Sequence, residues 1–233
     1  TYNDPTIFHE YAIDTAKECH KLGIKNVAVT AGYMCEEPRK EFFNVMDATN
    51  VDLKAFTDEF YWKQTGAHLA PVLETIKYIK HKTDVWLELT TLLIPGLNDS
   101  VKELEEMAAW IVKELGKDVP LHFSAFHPDY KLRDLPHTSQ ESLSLARKIA
   151  LDAGVHYVFT GNVYDEAGGS TFCHACGQKL IGRNWYQLGE WEINSSQGGV
   201  GSCSHCGATC AGVFEEKPGS WGAKRQRVIV SSV

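Results

Sequence analysis

The chain has 233 residues, with 23 Lys and Arg against 30 Asp and Glu for a formal net charge of −7. That balance argues against a general nucleic-acid surface or an anionic-membrane surface, and 43% hydrophobic residues suffice for a real core. No apolar run approaches the ~20 residues that span a bilayer, and no signal peptide opens the chain.

The first residues, Thr1-Tyr2-Asn3-Asp4-Pro5, enter a helix at once and read as the middle of a longer protein. Asp4 is a good N-cap and Pro5 a good first helical residue. Apolar residues follow at helical spacing from Ile7 to Cys19, and Gly23 ends the run. Lys25–Thr30 reads as a buried strand closing at Gly32, Arg39–Met46 as a helix, Val51–Ala55 as a short strand and Ala70–His81 as a helix. Asp84–Thr91 is the next expected strand, before the loop Ile94-Pro95-Gly96-Leu97-Asn98-Asp99. Ser100–Leu115 is an amphipathic helix with Asp99 or Ser100 as cap. Pro120–Phe126 is a strand, Thr138 and Glu141 form a capping box for a helix to Ala153, and Val155–Thr160 is a further strand.

Strands thus begin near 25, 50, 84, 120 and 155, each preceded by a helix. A strand–helix unit every ~35 residues implies parallel strands with right-handed crossovers. The Tyr2–Pro5 loop reads as the exit of a sixth strand whose body is missing. The expected fold is α/β, a partial parallel β/α barrel, with a doubly wound sheet as rival. A glycine-rich boundary over Gly161–Ser170 separates residues 1–165, the barrel, from residues 166–233, a small second module. There Leu180-Ile181 and Trp185–Leu188 look like ribbon strands, and Val228–Val230 is a candidate last strand.

Two Cys-x-x-Cys-Gly turns dominate that second module: Cys173, Cys176 and Gly177, then Cys203, Cys206 and Gly207, with 26 residues between Cys176 and Cys203. A tight Cys-x-x-Cys turn aims two thiolates at one ion, and four thiolates close a tetrahedral zinc site with no open position for water. A structural zinc clip in a reducing cytosol is therefore expected, rather than disulfides. His174 and His205 sit inside the turns and are read as non-ligands, and Cys19, Cys35 and Cys210 as ordinary residues. His9-Glu10 lacks the second histidine of a zinc-protease helix, since residue 13 is Ile. Gly198-Gly199-Val200-Gly201 lacks the Lys of a phosphate loop. The tail Lys224–Arg227 is too short for a nucleic-acid patch.

In parallel β/α folds, ligands gather at the C-terminal ends of strands. Here the exits carry Asn3 and Asp4, Thr30, Asp52 and Lys54, Glu88 and Thr90, and His127. Period-two alternation turns Val85, Leu87 and Leu89 toward helices, and Trp86, Glu88 and Thr90 into the barrel. Asp52 and Lys54 share one face, so a carboxylate and an ammonium enter the mouth together. A satisfied structural network is the alternative meaning of the same residues.

Taken in series, Tyr2-Asn3-Asp4-Pro5-Thr6, Val29-Thr30-Ala31-Gly32-Tyr33, Val51-Asp52-Leu53-Lys54, Leu93–Asp99 and Phe126-His127-Pro128 resemble the radical S-adenosylmethionine (SAM) enzymes. They are similar in particular to the branch of the pyruvate formate-lyase activating enzymes. The run from Cys173 through Leu180 and Ile181 to Arg183 resembles the radical SAM proteins of the AmmeMemoRadiSam system, which carry a zinc-ribbon-like tail. The resemblance implies SAM, a [4Fe–4S] cluster, an electron donor, and an unknown small-molecule or protein substrate. It places Asn3 and Asp4 near the methionyl amino group of SAM. Thr30, Asp52 and Lys54 would border its carboxylate, Glu88 and Thr90 its ribose, and His127 the adenosine side. Lys54 and His127 are the candidate catalytic residues. Ala31 departs from the Asn of a Thr-Asn-Gly motif. No Cys-x-x-x-Cys-x-x-Cys motif occurs in these 233 residues, so the expectation is a fragment unable to do the chemistry alone. The competing expectations are a non-catalytic scaffold with a zinc docking ribbon, and an aldolase or lyase using Lys54 as Schiff-base nucleophile.

Overall fold

The computed structural model describes residues 3–185, 187–195 and 199–219. Tyr186, Gly198, the tail Lys224–Arg227 and the candidate strand Val228–Val230 lie outside the described residues, as do Thr1 and Tyr2. The chain divides into two compact units, Thr1–Val163 and Tyr164–Val233.

The first unit begins with a 3₁₀ turn, Pro5–Phe8, capped by Asp4, which accepts from the Thr6 N–H. Helix α1 (His9–Lys21) follows. Strand β1 (Val27–Thr30), helix α2 (Glu36–Phe43) and strand β2 (Ala48–Asp52) come next. A short helix α3 (Asp58–Phe60) runs into a π turn, Tyr61–Thr65, that periodicity alone had not suggested. Helix α4 (Leu69–Lys82), strand β3 (Trp86–Leu93), helix α5 (Val101–Leu115), strand β4 (Leu121–Ala125), helix α6 (Gln140–Asp152) and strand β5 (Val158–Gly161) complete the unit.

All five strands pair in parallel and in sequence order, β1-β2-β3-β4-β5. A doubly wound sheet reverses its strand order partway, so that rival is excluded and the partial β/α barrel stands. In-register rows show why one face faces helices. Thr30, Val51, Leu89, Leu121 and Val158 align across the sheet, and all five are buried. They join Phe42 and Phe43 of α2, Ile76 and Ile79 of α4, Met107 and Ile111 of α5 and Leu143 of α6; the apolar residues of this set form one core. The other face carries Val29, Asn50, Glu88 and then Asp52, Thr90, His122 and Phe159 in rows. These residues are half-exposed or exposed.

Several boundaries differ from expectation for identifiable reasons. Strand β2 ends at Asp52, one residue past Val51, the partner of Thr30, although Leu53 and Ala55 are fully buried. Those two apolar residues fill the core from a turn, closed by the Leu53 N–H on the Val51 carbonyl, and so mimic a strand. Ser139, not Thr138, caps α6 by accepting from the Ser142 N–H. The Thr138 hydroxyl is committed elsewhere: it accepts from the Phe126 N–H and donates to the Leu93 carbonyl. Ser100 is the cap of α5, while the Asp99 carboxylate accepts from the Gly96 N–H and closes the preceding loop.

The second unit has two three-stranded antiparallel sheets. One joins a short β6 (Thr171–Phe172), β7 (Lys179–Asn184) and β8 (Gln187–Trp191); the other joins β9 (Ile193–Asn194), β10 (Gly199–Cys203) and β11 (Thr209–Phe214). A one-turn helix α7 (Glu166–Gly169) precedes them. Their shared core is small: Leu180, Ile181, Ile193, Cys210 and the buried sulfur residues Cys173 and Cys203.

Candidate functional site

In the second unit each Cys-x-x-Cys turn is built the same way. The Cys173 N–H donates to the Gln178 carbonyl and the Gly177 N–H to the Cys173 carbonyl; Cys203 with Ala208, and Gly207 with Cys203, repeat both bonds. Gly177 and Gly207 sit at φ of 74° and 75°, the left-handed region where a Cβ is strained. Both turns therefore present their sulfurs alike.

The four thiols, all unoxidised, converge so that every sulfur lies within 4.8 Å of the others. Cys173 and Cys206 are 3.7 Å apart at sulfur, as are Cys176 and Cys203. Sulfurs bound at ~2.3 Å to a tetrahedral ion are about 3.8 Å apart, whereas a disulfide needs ~2.05 Å. The donor set fits a metal. Burial works against ionisation of Cys203, but the N–H groups of Cys206 and His205 outweigh it and hold that thiol to about 6. Cys210 is buried beside this cluster, and burial pushes its thiol up to about 11, so it stays protonated core. His174 and His205 are exposed and do not belong to the converging group.

In the first unit the polar residues of the strand exits fall into distinct groups. Asp4 is bound into a clamp. Its carboxylate accepts from the Thr6 N–H and hydroxyl, from the Thr30 hydroxyl at 3.0 Å and from the Ala31 N–H at 2.6 Å. Half-burial pushes this carboxyl up, yet the Ala31 and Thr6 donors and the hydroxyls outweigh it and hold Asp4 below the usual carboxylate range. Thr30 is buried on the helix-facing side and also accepts from the Gly32 N–H. Gly32 is needed there: φ is 67°, and a Cβ would lie 2.8 Å from Val51 Cγ1. Asn3 adjoins this clamp in sequence.

Asp52 and Lys54 do meet at the exit of β2, with Nζ 2.7 Å from Oδ2 and each side chain about one-third exposed. The backbone of Lys54 is fixed from two sides. Its N–H donates to the Tyr61 hydroxyl, and its carbonyl accepts from the Asn98 amide at 2.6 Å. Burial pushes the Tyr61 phenol up to about 12, so it remains a neutral hydroxyl. The π turn thus has a local purpose, since it delivers Tyr61 to the β2 exit. Thr90 lies in register between Asp52 and His122 on the open face.

Glu88 lies deeper, third in β3 rather than at its exit. It accepts from Trp86 Nε1 at 3.0 Å and pairs with His122 Nε2 at 2.8 Å. The His122 ring stacks on Phe159 with centroids 5.0 Å apart. His122 and Phe159 were missed from the sequence, though the alternation Leu121-His122-Phe123-Ser124 carries the same signal that identified Glu88. His127 is at the β4 exit, its ring edge-on to His137 at 4.4 Å. The Phe126–Thr138 bridge ties off the loop between them, with the Thr138 N–H donating to the Phe126 carbonyl.

No protein-family model matches the chain. A domain of a pyruvate-formate lyase-activating enzyme from Bacteroides vulgatus superposes with a TM-score of 0.61 at 19% identity, covering 70% of this chain and 96% of that one. A radical SAM methyltransferase from Sphaerobacter thermophilus does so with a TM-score of 0.54 at 15% identity, over 76% and 52% of the two chains. The fold is thus the partial β/α barrel found in those proteins. In sequence, an uncharacterized protein of Methanocaldococcus jannaschii is 44% identical over 183 residues, 78% of this chain and 54% of the relative. A 4-hydroxyphenylacetate decarboxylase activating enzyme of Clostridioides difficile is 23% identical over 164 residues, 65% of this chain and 51% of that enzyme. The chain spans about half the length of these curated relatives.

Proposed function

We propose that these residues are part of a radical SAM enzyme related to the activating enzymes, with a protein as the substrate class and a branch resembling the AmmeMemoRadiSam system. The observation that supports it most is the conjunction of barrel and exits. The fold is that of an activating-enzyme domain, and its open face and exits gather Asp52, Lys54, Glu88 and Thr90 where such folds bind ligands.

The first unit's own cysteines, Cys19 on α1 and Cys35 before α2, do not make a cluster site. The four-cysteine group is the one set of three or more metal-binding side chains among the described residues. The [4Fe–4S] ligands are accordingly assigned outside these 233 residues, and no step is derived through them. Cluster and SAM together supply a 5′-deoxyadenosyl radical; this chain's residues bind and orient. Lys54, held by Tyr61 and Asn98, offers a cation to the methionyl carboxylate, with Asp52 keeping its ammonium in place. Glu88 and Thr90 line the face toward the ribose, and His127 stands on the adenosine side. Asp4 and Thr30, with Asn3 alongside, shape the β1 exit near the methionyl amine. The four cysteines hold a structural zinc.

Isothermal calorimetry of the 233-residue chain with SAM tests the binding half, and Lys54→Ala should weaken it. Anaerobic reconstitution with iron and sulfide tests the other half. A stable cluster that cleaves SAM in this chain alone would overturn the assignment of its ligands elsewhere.

A further inference from the structure

Glu88 sits between two donors. Trp86 Nε1–H points at Oε1, and His122 Nε2 is 2.8 Å from Oε2. A carboxylate can only accept, so Nε2 must carry the hydrogen, and the neutral imidazole keeps its lone pair on Nδ1. Phe159 holds the ring from the neighbouring strand, 24° from parallel. A half-turn of the ring would keep the stack but carry Nε2 away from the carboxylate and break its hydrogen bond. Among the described residues no protein group bonds Nδ1, and that atom is not among the buried orphans. The His122 side chain is 29% exposed and shares the open face with Asp52 and Thr90.

We propose that Glu88 is a positioning residue that fixes His122 as its Nε2–H tautomer, so that Nδ1 accepts a hydrogen bond from a hydroxyl or ammonium group of the molecule bound on the open face. The same carboxylate–imidazole logic orients histidines in enzymes and metal sites, where an amide in place of the carboxylate enforces the wrong tautomer. In Glu88→Gln the Trp86 N–H claims the single amide oxygen. The NH₂ group then turns to His122, which must accept at Nε2 and carry its hydrogen on Nδ1. A cluster that only stabilised the sheet would fix the same tautomer, but its Nδ1 would not respond to a bound ligand.

Long-range ¹H–¹⁵N spectra of the labelled chain at neutral pH read the tautomer directly. His122→Phe, which keeps a ring against Phe159, assigns the signals. The wild-type chain should show the lone pair on Nδ1, Glu88→Gln should move it to Nε2, and SAM should shift the Nδ1 signal in the wild type alone. SAM affinity should fall by about tenfold in Glu88→Gln, the effect of one lost hydrogen bond to a charged group. Hydrogen on Nδ1 in the wild type overturns the proposal without any variant having to fold. An unchanged tautomer in a folded Glu88→Gln chain removes the positioning role, and SAM binding that leaves Nδ1 unmoved removes the ligand role. The ligand named here rests on the proposed function. If SAM does not bind the chain, that function and the ligand role fall together, while the tautomer result stands by itself.

Discussion

Asn98 donates its side-chain amide to the carbonyl oxygen of Lys54 at 2.6 Å. The same group donates to Leu92, and its Oδ1 accepts from the Ile94 N–H, so one fully buried side chain ties the β2 exit to the β3 exit. Asn98→Ala removes the partner of one buried and two part-buried backbone groups and should cost about 2–4 kcal/mol, at ~1–3 kcal/mol for each group only partly rescued by water. Asn98→Asp should cost more, because it sets a buried carboxylate oxygen against two carbonyl oxygens that repel it. Denaturant unfolding followed by tryptophan fluorescence measures both.

Lys54→Ala separates binding from folding. The exposed Asp52–Lys54 pair contributes at most about 1 kcal/mol to stability, so the melting temperature should hardly move. SAM affinity should fall by tenfold or more, the loss of a charged hydrogen bond of ~1.5–3 kcal/mol. Equal affinity in the variant and the parent chain would remove Lys54 from the site.

Asp4 should make the first unit acid-sensitive. Its folded carboxyl titrates below the ordinary 3.8, so the unfolded chain takes up that proton first as pH falls. The stabilisation is present above pH ~4 and is lost as pH drops through the folded value. Asp4→Asn keeps the cap but replaces one accepting oxygen of the Thr30 and Ala31 clamp with a donor, and should lower stability at pH 7 by about 1 kcal/mol. The deficit should shrink toward pH 3 in parallel acid melts of the two proteins.

Cys173→Ser should remove bound metal and unfold the second unit alone. The core of that unit is a handful of side chains, too small to stand without metal. Metal content by plasma mass spectrometry should drop from one ion per chain to none. Amide signals of β7 and β10 should collapse while those of β2 and β3 hold.

Glu103 offers a stabilising change. It is buried at 7% exposure and accepts from the Phe56 N–H at 2.7 Å. Burial pushes its carboxyl above the usual range, with Glu106 and Asp99 adding to the effect. The folded state therefore binds the proton more tightly, and stability declines as pH rises above the ordinary carboxyl value. Glu103→Gln keeps the acceptor and removes the buried charge. It should equal or exceed the parent stability at pH 7 by up to ~1 kcal/mol and flatten that decline, as thermal melts from pH 4 to 8 will show.

The repeating strand–helix spacing made the barrel legible, because parallel strands need long crossovers. Alternation on β3 placed Trp86, Glu88 and Thr90 on one face. What stayed hidden was tertiary. Leu53 and Ala55 imitate a strand because a turn, rather than a ladder, buries them. Thr138 looks like a helix cap until the Leu93 carbonyl and Phe126 N–H claim its hydroxyl. Thr30 sits at a strand exit in sequence but turns to the helix side, and only the in-register partner Val51 reveals that. The meeting of Glu88 with His122, 34 residues on, depends on a diagonal across β3 and β4 that spacing cannot specify.

Strand β3 also makes the chain unusually intolerant of one kind of change in length. Its odd-numbered side chains fill the helix layer and its even-numbered ones lie on the open face. Deleting a single residue near Trp86 would turn the remainder of the strand over. Leu87 and Leu89 would then coat the open face, and Glu88 and Thr90 would be driven against the helix layer. In this sheet the reading frame that separates core from open face is one residue wide.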